Sequence, residues 1–242
     1  MGVILKKMND NKVILLGHYG DDSTHACSAW TSTYRELTPE KIDRIPKLLK
    51  QLADDGHHSV FEKSSLHFLV DTEIASHIHL LKHRIGVSIN AESARYKELQ
   101  EDKFYLPEDW GNIEASDNAE EFNDIGSNFD IYEMPWSEIL RDYTQIGNVL
   151  YHAALRDLTP VLGRKRAKES ARYFKTYNSQ IQADVMFNWR SFHHFLGLRK
   201  SEHAQKEIRD IATEMLNLVK NIEGNPFEHT IAAFGYEKNS EI

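Results

Sequence analysis

Residues 82–96 read Lys-His-Arg-Ile-Gly-Val-Ser-Ile-Asn-Ala-Glu-Ser-Ala-Arg-Tyr and constrain this chain more than any other stretch. Ahead of them Ile74, Ile78 and Leu81 recur at helical spacing, so 71–84 reads as a helix. Its C-terminal end delivers Lys82, His83 and Arg84 where the helix dipole favours positive charge. Gly86 breaks the pattern, and Ser88, Asn90, Ser93 and Arg95 come after it as hydrogen-bond donors. Guanidinium groups fork onto phosphate oxygens and hydroxyls fill the gaps, so such a run suits an anion or a polar ring bearing phosphate. A solvated helix end with a polar loop has the same composition, and these residues alone leave both readings open.

Elsewhere the pattern alternates between short apolar runs and longer amphipathic ones. Residues 12–17 read as a buried strand, 18–22 as a loop, 23–33 as a polar small-residue stretch, and 65–70 as a second strand. Thr38-Pro39-Glu40 starts a helix whose apolar face is Ile42, Ile45, Leu49 and Leu52, with Pro46 as a kink and Gly56 as its end. Residues 104–140 hold ten acids and no Lys or Arg, which reads as a surface insert with partial helix, either a solvated face or a lid. A helix over 136–158 should stop near Pro160 and Gly163, ahead of a basic segment over 164–172. Residues 202–220 form the last long helix, with Ile208, Ile211, Met215 and Leu218 facing inward.

A length of 242 residues with 40% hydrophobic and 27% charged side chains is enough for one substantial domain with its own core. Cys27 is the single cysteine, which suits a reducing, intracellular setting. No apolar run approaches the roughly 20 residues a membrane helix needs, so a cytoplasmic protein without a membrane partner is expected. A formal net charge of −8 argues against nucleic acid as a partner.

Three blocks carry a family resemblance. The first is the opening run, in which His83, Arg84, Asn90, Ser93, Arg95 and Tyr96 match the signature of flavin-dependent thymidylate synthases: Arg-His-Arg, seven residues, Ser, then Arg-Tyr. Here Lys82 stands for the first Arg, and eight residues separate Arg84 from Ser93, which places an extra residue near Ile85–Gly86. The second is Gly56-His57-His58-Ser59-Val60-Phe61-Glu62, similar to the family's Gly-His-x-Thr/Ser-x-Phe-Glu segment. The third runs from Asn188-Trp189-Arg190-Ser191 through Phe195-Leu196-Gly197-Leu198-Arg199 to His203-Ala204-Gln205, resembling the family's C-terminal pattern.

The resemblance implies an α+β fold, with a central, mostly antiparallel sheet flanked by helices. It implies one domain over 1–242, with an acidic insert at about 104–140, and a homotetramer with shared active sites. The implied reaction is reductive methylation of dUMP to dTMP, with methylenetetrahydrofolate as carbon donor and FAD, reduced by NADPH, as hydride donor. By the same resemblance FAD falls to Ser32, Ser59, Glu62, Lys82, His83, Arg84, Ile85, Asn188, Arg190, His194, Leu198 and His203, with His57 at the folate and flavin mouth. The substrate dUMP falls to His79, Ala91, Glu92, Ser93, Ala94, Arg95, Arg172 and Arg199. His194 replaces a common Asn, and His79 a common Gln.

The chemistry suits those residue types. Hydride delivery to a uracil carbon pushes negative charge onto a ring carbonyl, and Arg199 is the first choice to stabilise it. A serine nucleophile needs a base within reach, and none is evident for Ser93, so Ser93 is assigned to substrate positioning. Arg95 is the expected phosphate ligand. Two other classes stay in view. With 13 histidines, and His79 and His83 at i, i+4, a metal-dependent hydrolase is one; no His-Glu-x-x-His occurs, and no metal is expected. A nucleotide-binding regulatory module without turnover is the other.

Overall fold

Alternating burial builds the sheet. In the computed structural model, which describes residues 10–99, 101–116, 131 and 133–237, β1 (Lys12–Tyr19) lies antiparallel to β2 (Ser65–Glu73). The register runs from Lys12 opposite Asp71 to Tyr19 opposite Ser65, slipping between Leu15 and Gly17. Strand β3 (Val87–Ala91) lies antiparallel to β4 (Gln180–Phe187), from Val87 opposite Phe187 to Ala91 opposite Ala183. The strand order is β1-β2-β4-β3. Leu66, Phe68 and Val70 alternate along β2 and are wholly buried, as the period of two in an extended chain requires when one face meets the core.

The chain divides into two compact units. The larger combines Asn11–Asp71, Ser76–Ala91 and 182–237, and it holds the main apolar core. Helix α1 (Asp22–Trp30) opens with a capping box in which the Asp21 carboxylate accepts from Thr24 N–H at 2.7 Å. Sequence periodicity over 23–33 is weak, and this cap was its readable signal. The helix expected from Thr38 is two helices, α2 (Pro39–Ile42) and α3 (Ile45–Asp54). Pro46 lies in the first turn of α3, so it starts a helix rather than kinking one. Helix α4 (Ile74–Leu81) is shorter than 71–84 because β2 continues to Glu73.

The second unit comprises Thr72–Ala75 and the described part of Glu92–Ile181. Its spine is α5 (Trp136–Ala171), which continues through Pro160 and breaks only at Gly163, where φ is 75° and ψ 155°. The basic segment is therefore helical. Tyr151, Leu155, Ala167 and Ala171 form a small core there. Lys175 Nζ is buried against it, donating to Asp102 at 2.6 Å and Asn148 at 2.7 Å above the Tyr151 ring. The acidic insert begins as core rather than solvated face: Phe104 and Leu106 are buried, and Phe104 bridges to Ser179. Residues 117–130 and 132 of that insert lie outside the described residues.

In the larger unit α6 (Trp189–Arg199) and α7 (Lys206–Lys220) pack their apolar faces inward, α7 starting four residues later than expected. A short α8 (Glu228–Ala233), unanticipated from the sequence, is tied to α1. The Asp22 carboxylate accepts from His229 N–H at 2.7 Å and Thr230 N–H at 2.9 Å. Between them His25, wholly buried, bonds Thr230 Oγ1 at 3.0 Å and Ser64 Oγ at 2.8 Å. Among the described residues, no helix is long and apolar enough to cross a membrane.

Burial lowers the His25 imidazole from 6.5 to about 4. The unfolded chain therefore binds more protons than the folded one between these values, and stability falls as pH drops through that window. Urea unfolding at pH 7 and pH 4.5 should show His25 contributing roughly 2–3 kcal/mol of the loss. A His25→Gln variant that loses as much stability as the native chain between those pH values would contradict this.

Candidate functional site

Two of the sequence blocks meet at the start of α6. Asn188 caps that helix through its side-chain oxygen, which accepts from Ser191 N–H at 2.9 Å. Ser191 Oγ donates to Ile85 C=O at 2.6 Å, and Asn188 N–H donates to Gly86 C=O at 3.1 Å. The Ile85–Gly86 turn is thereby fastened to the helix N-terminus. Gly86 has φ +65°, and a Cβ there would lie 2.3 Å from Ser191 Oγ and 2.4 Å from Asn188 Nδ2. Register through β3 is uninterrupted from Val87 to Ala91.

Above the turn lies a pocket of about 600 Å³, a volume typical of small-molecule sites. Glu62 and Arg190 form an ion pair on its wall, and Ile85, Gly197 and Leu198 supply apolar surface. Ile85 is 89% exposed and Leu198 50%, so the apolar side of the pocket is uncovered in the single chain. Asn188 spends its amide oxygen on the helix cap and retains its NH2 as donor. His58, His193 and His194 complete the wall.

At the far end of α6, Arg199 turns toward α4. Its Nε donates to His83 Nε2 at 3.0 Å, and its Nη1 lies 3.1 Å from His79 Nδ1. His83 is 7% exposed and packs edge-on against Phe195, with ring centroids 5.0 Å apart. Burial, then the Arg199, His194 and His79 charges, lower His83 from 6.5 to about 4, so it is neutral at physiological pH. Accepting at Nε2 puts its proton on Nδ1. Arg199 pairs with no carboxylate among the described residues, and burial lowers its own pKa while leaving it a cation. A half-buried guanidinium held by neutral acceptors is poised for a ligand oxygen that carries or develops negative charge. His79 and His83 do converge, as their spacing suggested, but on a guanidinium; His83 lies past the end of α4. Among the described residues, no three His, Cys, Asp or Glu side chains group as a metal site would.

The second unit holds Glu92, Ser93, Ala94, Arg95 and Arg172, and Ala91 closes the larger unit just before them. A turn over 94–96 comes after Ser93, whose Oγ accepts from Arg95 N–H at 3.3 Å; no side-chain base bonds it among the described residues. Arg95 Nε pairs with Glu169 at 3.0 Å, Lys168 Nζ donates to Tyr96 C=O at 2.9 Å, and Lys97 pairs with Glu92 at 2.6 Å. Ala91 ends β3, and Ala94 is half-buried in the turn. Arg172 caps the C-terminus of α5, exposed and without an ion pair among the described residues.

Of the residues implied for flavin, Glu62, Ile85, Asn188, Arg190, His194 and Leu198 line one pocket. Ser32, Ser59, Lys82, Arg84 and His203 lie outside its lining, as does His57, while His83 lies behind the wall. His58, Gly86, Ser191, His193 and Gly197 join the pocket without having been singled out. The Asn188–Ser191 capping interval was a readable signal; the histidines carried none beyond their pairing.

The family model described as thymidylate synthase complementing protein matches residues 14–223. A flavin-dependent thymidylate synthase of Pseudothermotoga lettingae is 31% identical over 210 residues, covering 87% of this chain and 85% of that protein. One from Kosmotoga olearia is 30% identical, covering 90% and 88%. The crystal structure of a UMP/dUMP methylase, PolB from Streptomyces cacaoi, bound with 5-Br dUMP, superposes with a TM-score of 0.71 at 24% identity. That likeness covers 93% of this chain and 95% of that one and shows a shared fold.

The turn geometry predicts that Gly86→Ala lowers stability by about 2 kcal/mol or more, through backbone strain at positive φ and collision with the α6 cap. Thermal melting checks it; an unchanged midpoint would mean the turn is not fastened as described.

Proposed function

The chain belongs to the flavin-dependent thymidylate synthase family, and from this premise we propose that it reductively methylates dUMP to dTMP as a single functional domain. Methylenetetrahydrofolate supplies the carbon and NADPH the electrons. The observation that carries the reading is Arg199, a guanidinium with neutral partners, on the same helix that forms a wall of the pocket.

The pocket residues fit a flavin nucleotide. A carboxylate at Glu62 suits sugar hydroxyls, the Arg190 guanidinium suits a pyrophosphate, and the Ile85 and Leu198 side chains suit a planar ring. When bound, FAD supplies hydride transfer to the pyrimidine. The chain's own residues bind and orient. Arg199 stabilises negative charge on a uracil carbonyl oxygen, held in aim by His79 and His83. Arg95 and Arg172 take the phosphate, for which Arg95 exchanges its Glu169 partner. Ser93, with Ala91, Glu92 and Ala94 around it, positions the nucleotide without acting as nucleophile, and Lys82, Arg84, Ser32, Ser59 and His203 complete the flavin shell. His57 stands at the folate mouth.

A homotetramer with shared sites accounts for the uncovered apolar surface: Ile85 and Leu198 at the pocket, and Tyr143, Ile146, Val149 and Leu150 along α5. Drawing on dUMP, reduced folate and NADPH, the enzyme works in the cytoplasm.

Anaerobic incubation of purified protein with FAD, NADPH, methylenetetrahydrofolate and dUMP should yield dTMP, and none when FAD is omitted from stripped protein. Arg199→Leu should lower kcat/KM by about 100-fold with flavin binding retained. Nucleotide binding without product in the flavin-loaded native protein would instead identify a regulatory module.

A further inference from the structure

The family match ends at residue 223, yet the chain beyond it is built into the larger unit. Phe227 is wholly buried and stacks on Trp189, with ring centroids 5.4 Å apart and an angle of 22°. Phe234 lies 4.3 Å from the His193 ring and 4.8 Å from the Phe61 ring, centroid to centroid. Tyr236 N–H donates to Ile231 C=O at 3.0 Å, closing the turn after α8. The same tyrosine places its hydroxyl oxygen 2.8 Å from His193 Nδ1. His193 lines the pocket assigned above to flavin, and His58 faces it edge-on at 5.8 Å.

We propose that Tyr236 is a positioning residue of that pocket. Its phenol O–H donates to His193 Nδ1 and leaves Nε2–H to donate to the acceptor-rich ring of the bound flavin. A phenol is the better donor of the two, and its alternative acceptor, the His193 carbonyl, is a long 3.4 Å away. Burial holds the two groups apart in acidity: His193 is lowered to about 4 and Tyr236 raised to about 12. Both stay neutral near pH 7, and the tautomer persists across the working range. Without the phenol, the imidazole is free to carry its proton on either nitrogen, and the pocket loses a fixed donor. The C-terminal segment thus reaches the cofactor through one histidine.

This inference rests on the pocket being a flavin site. Its test is FAD binding by stripped, full-length protein, monitored by flavin fluorescence and paired with thermal melting. Tyr236→Phe should weaken FAD binding about three- to tenfold, the effect of one lost hydrogen bond. In a His193→Ala background the same substitution should have no further effect on binding. Equal affinity of Tyr236→Phe and the native chain overturns the proposal, as does an equal loss in both backgrounds, which a merely structural tyrosine would give. Should Tyr236→Phe fail to fold, His193→Asn is measured instead, and unchanged FAD affinity there overturns it. Native protein that takes up no FAD removes the functional reading itself, whereas native binding with an unaffected variant removes this inference alone.

Discussion

A guanidinium half-withdrawn from water needs acceptors, and Arg199 finds them in two imidazoles rather than a carboxylate. A carboxylate would satisfy Arg199 completely and compete with any ligand for it. Neutral nitrogens hold the side chain in place and leave its charge uncompensated. This requires His83 to stay neutral, which its burial against Phe195 and its proximity to Arg199 both enforce. It also requires α4 and α6 to stand at a fixed separation, which their attachment to a common core provides.

The same economy operates at the other end of α6. One cap residue, Asn188, satisfies the helix start and fastens the Ile85–Gly86 turn. That turn forms the pocket edge, so helix initiation and ligand surface are set by the same hydrogen bonds. A left-handed glycine is the only residue that lets the backbone approach so closely. Both ends of α6 are thus held by bonds to residues far away in the sequence.

Much of this was legible in the residues. Period-two burial in Ser65–Glu73 and the apolar face of Lys206–Lys220 are plain in sequence, and the three motif blocks named six of the pocket residues in advance. Other features were not. Pro46 as a helix starter and Pro160 inside a continuing helix are decided by packing that periodicity does not contain. Which of His57 and His58 faces the pocket depends on backbone phase to within a fraction of a turn, and His193 lines it beside His194, so neither His58 nor His193 was readable from local pattern. Phe104 looked like the start of a solvated acidic insert because composition averages over a segment, whereas burial belongs to single side chains. The partnership of Arg199 with His79 and His83 joins segments remote in sequence, and no local pattern announces it.

The most direct measurement is a crystal structure of the protein with FAD and dUMP bound. The predicted result is the Arg199 guanidinium within about 3.2 Å of a uracil carbonyl oxygen, a normal hydrogen-bond distance, with its imidazole contacts retained. Arg199 still turned only upon His79 and His83, with the uracil held elsewhere, would contradict its assigned role.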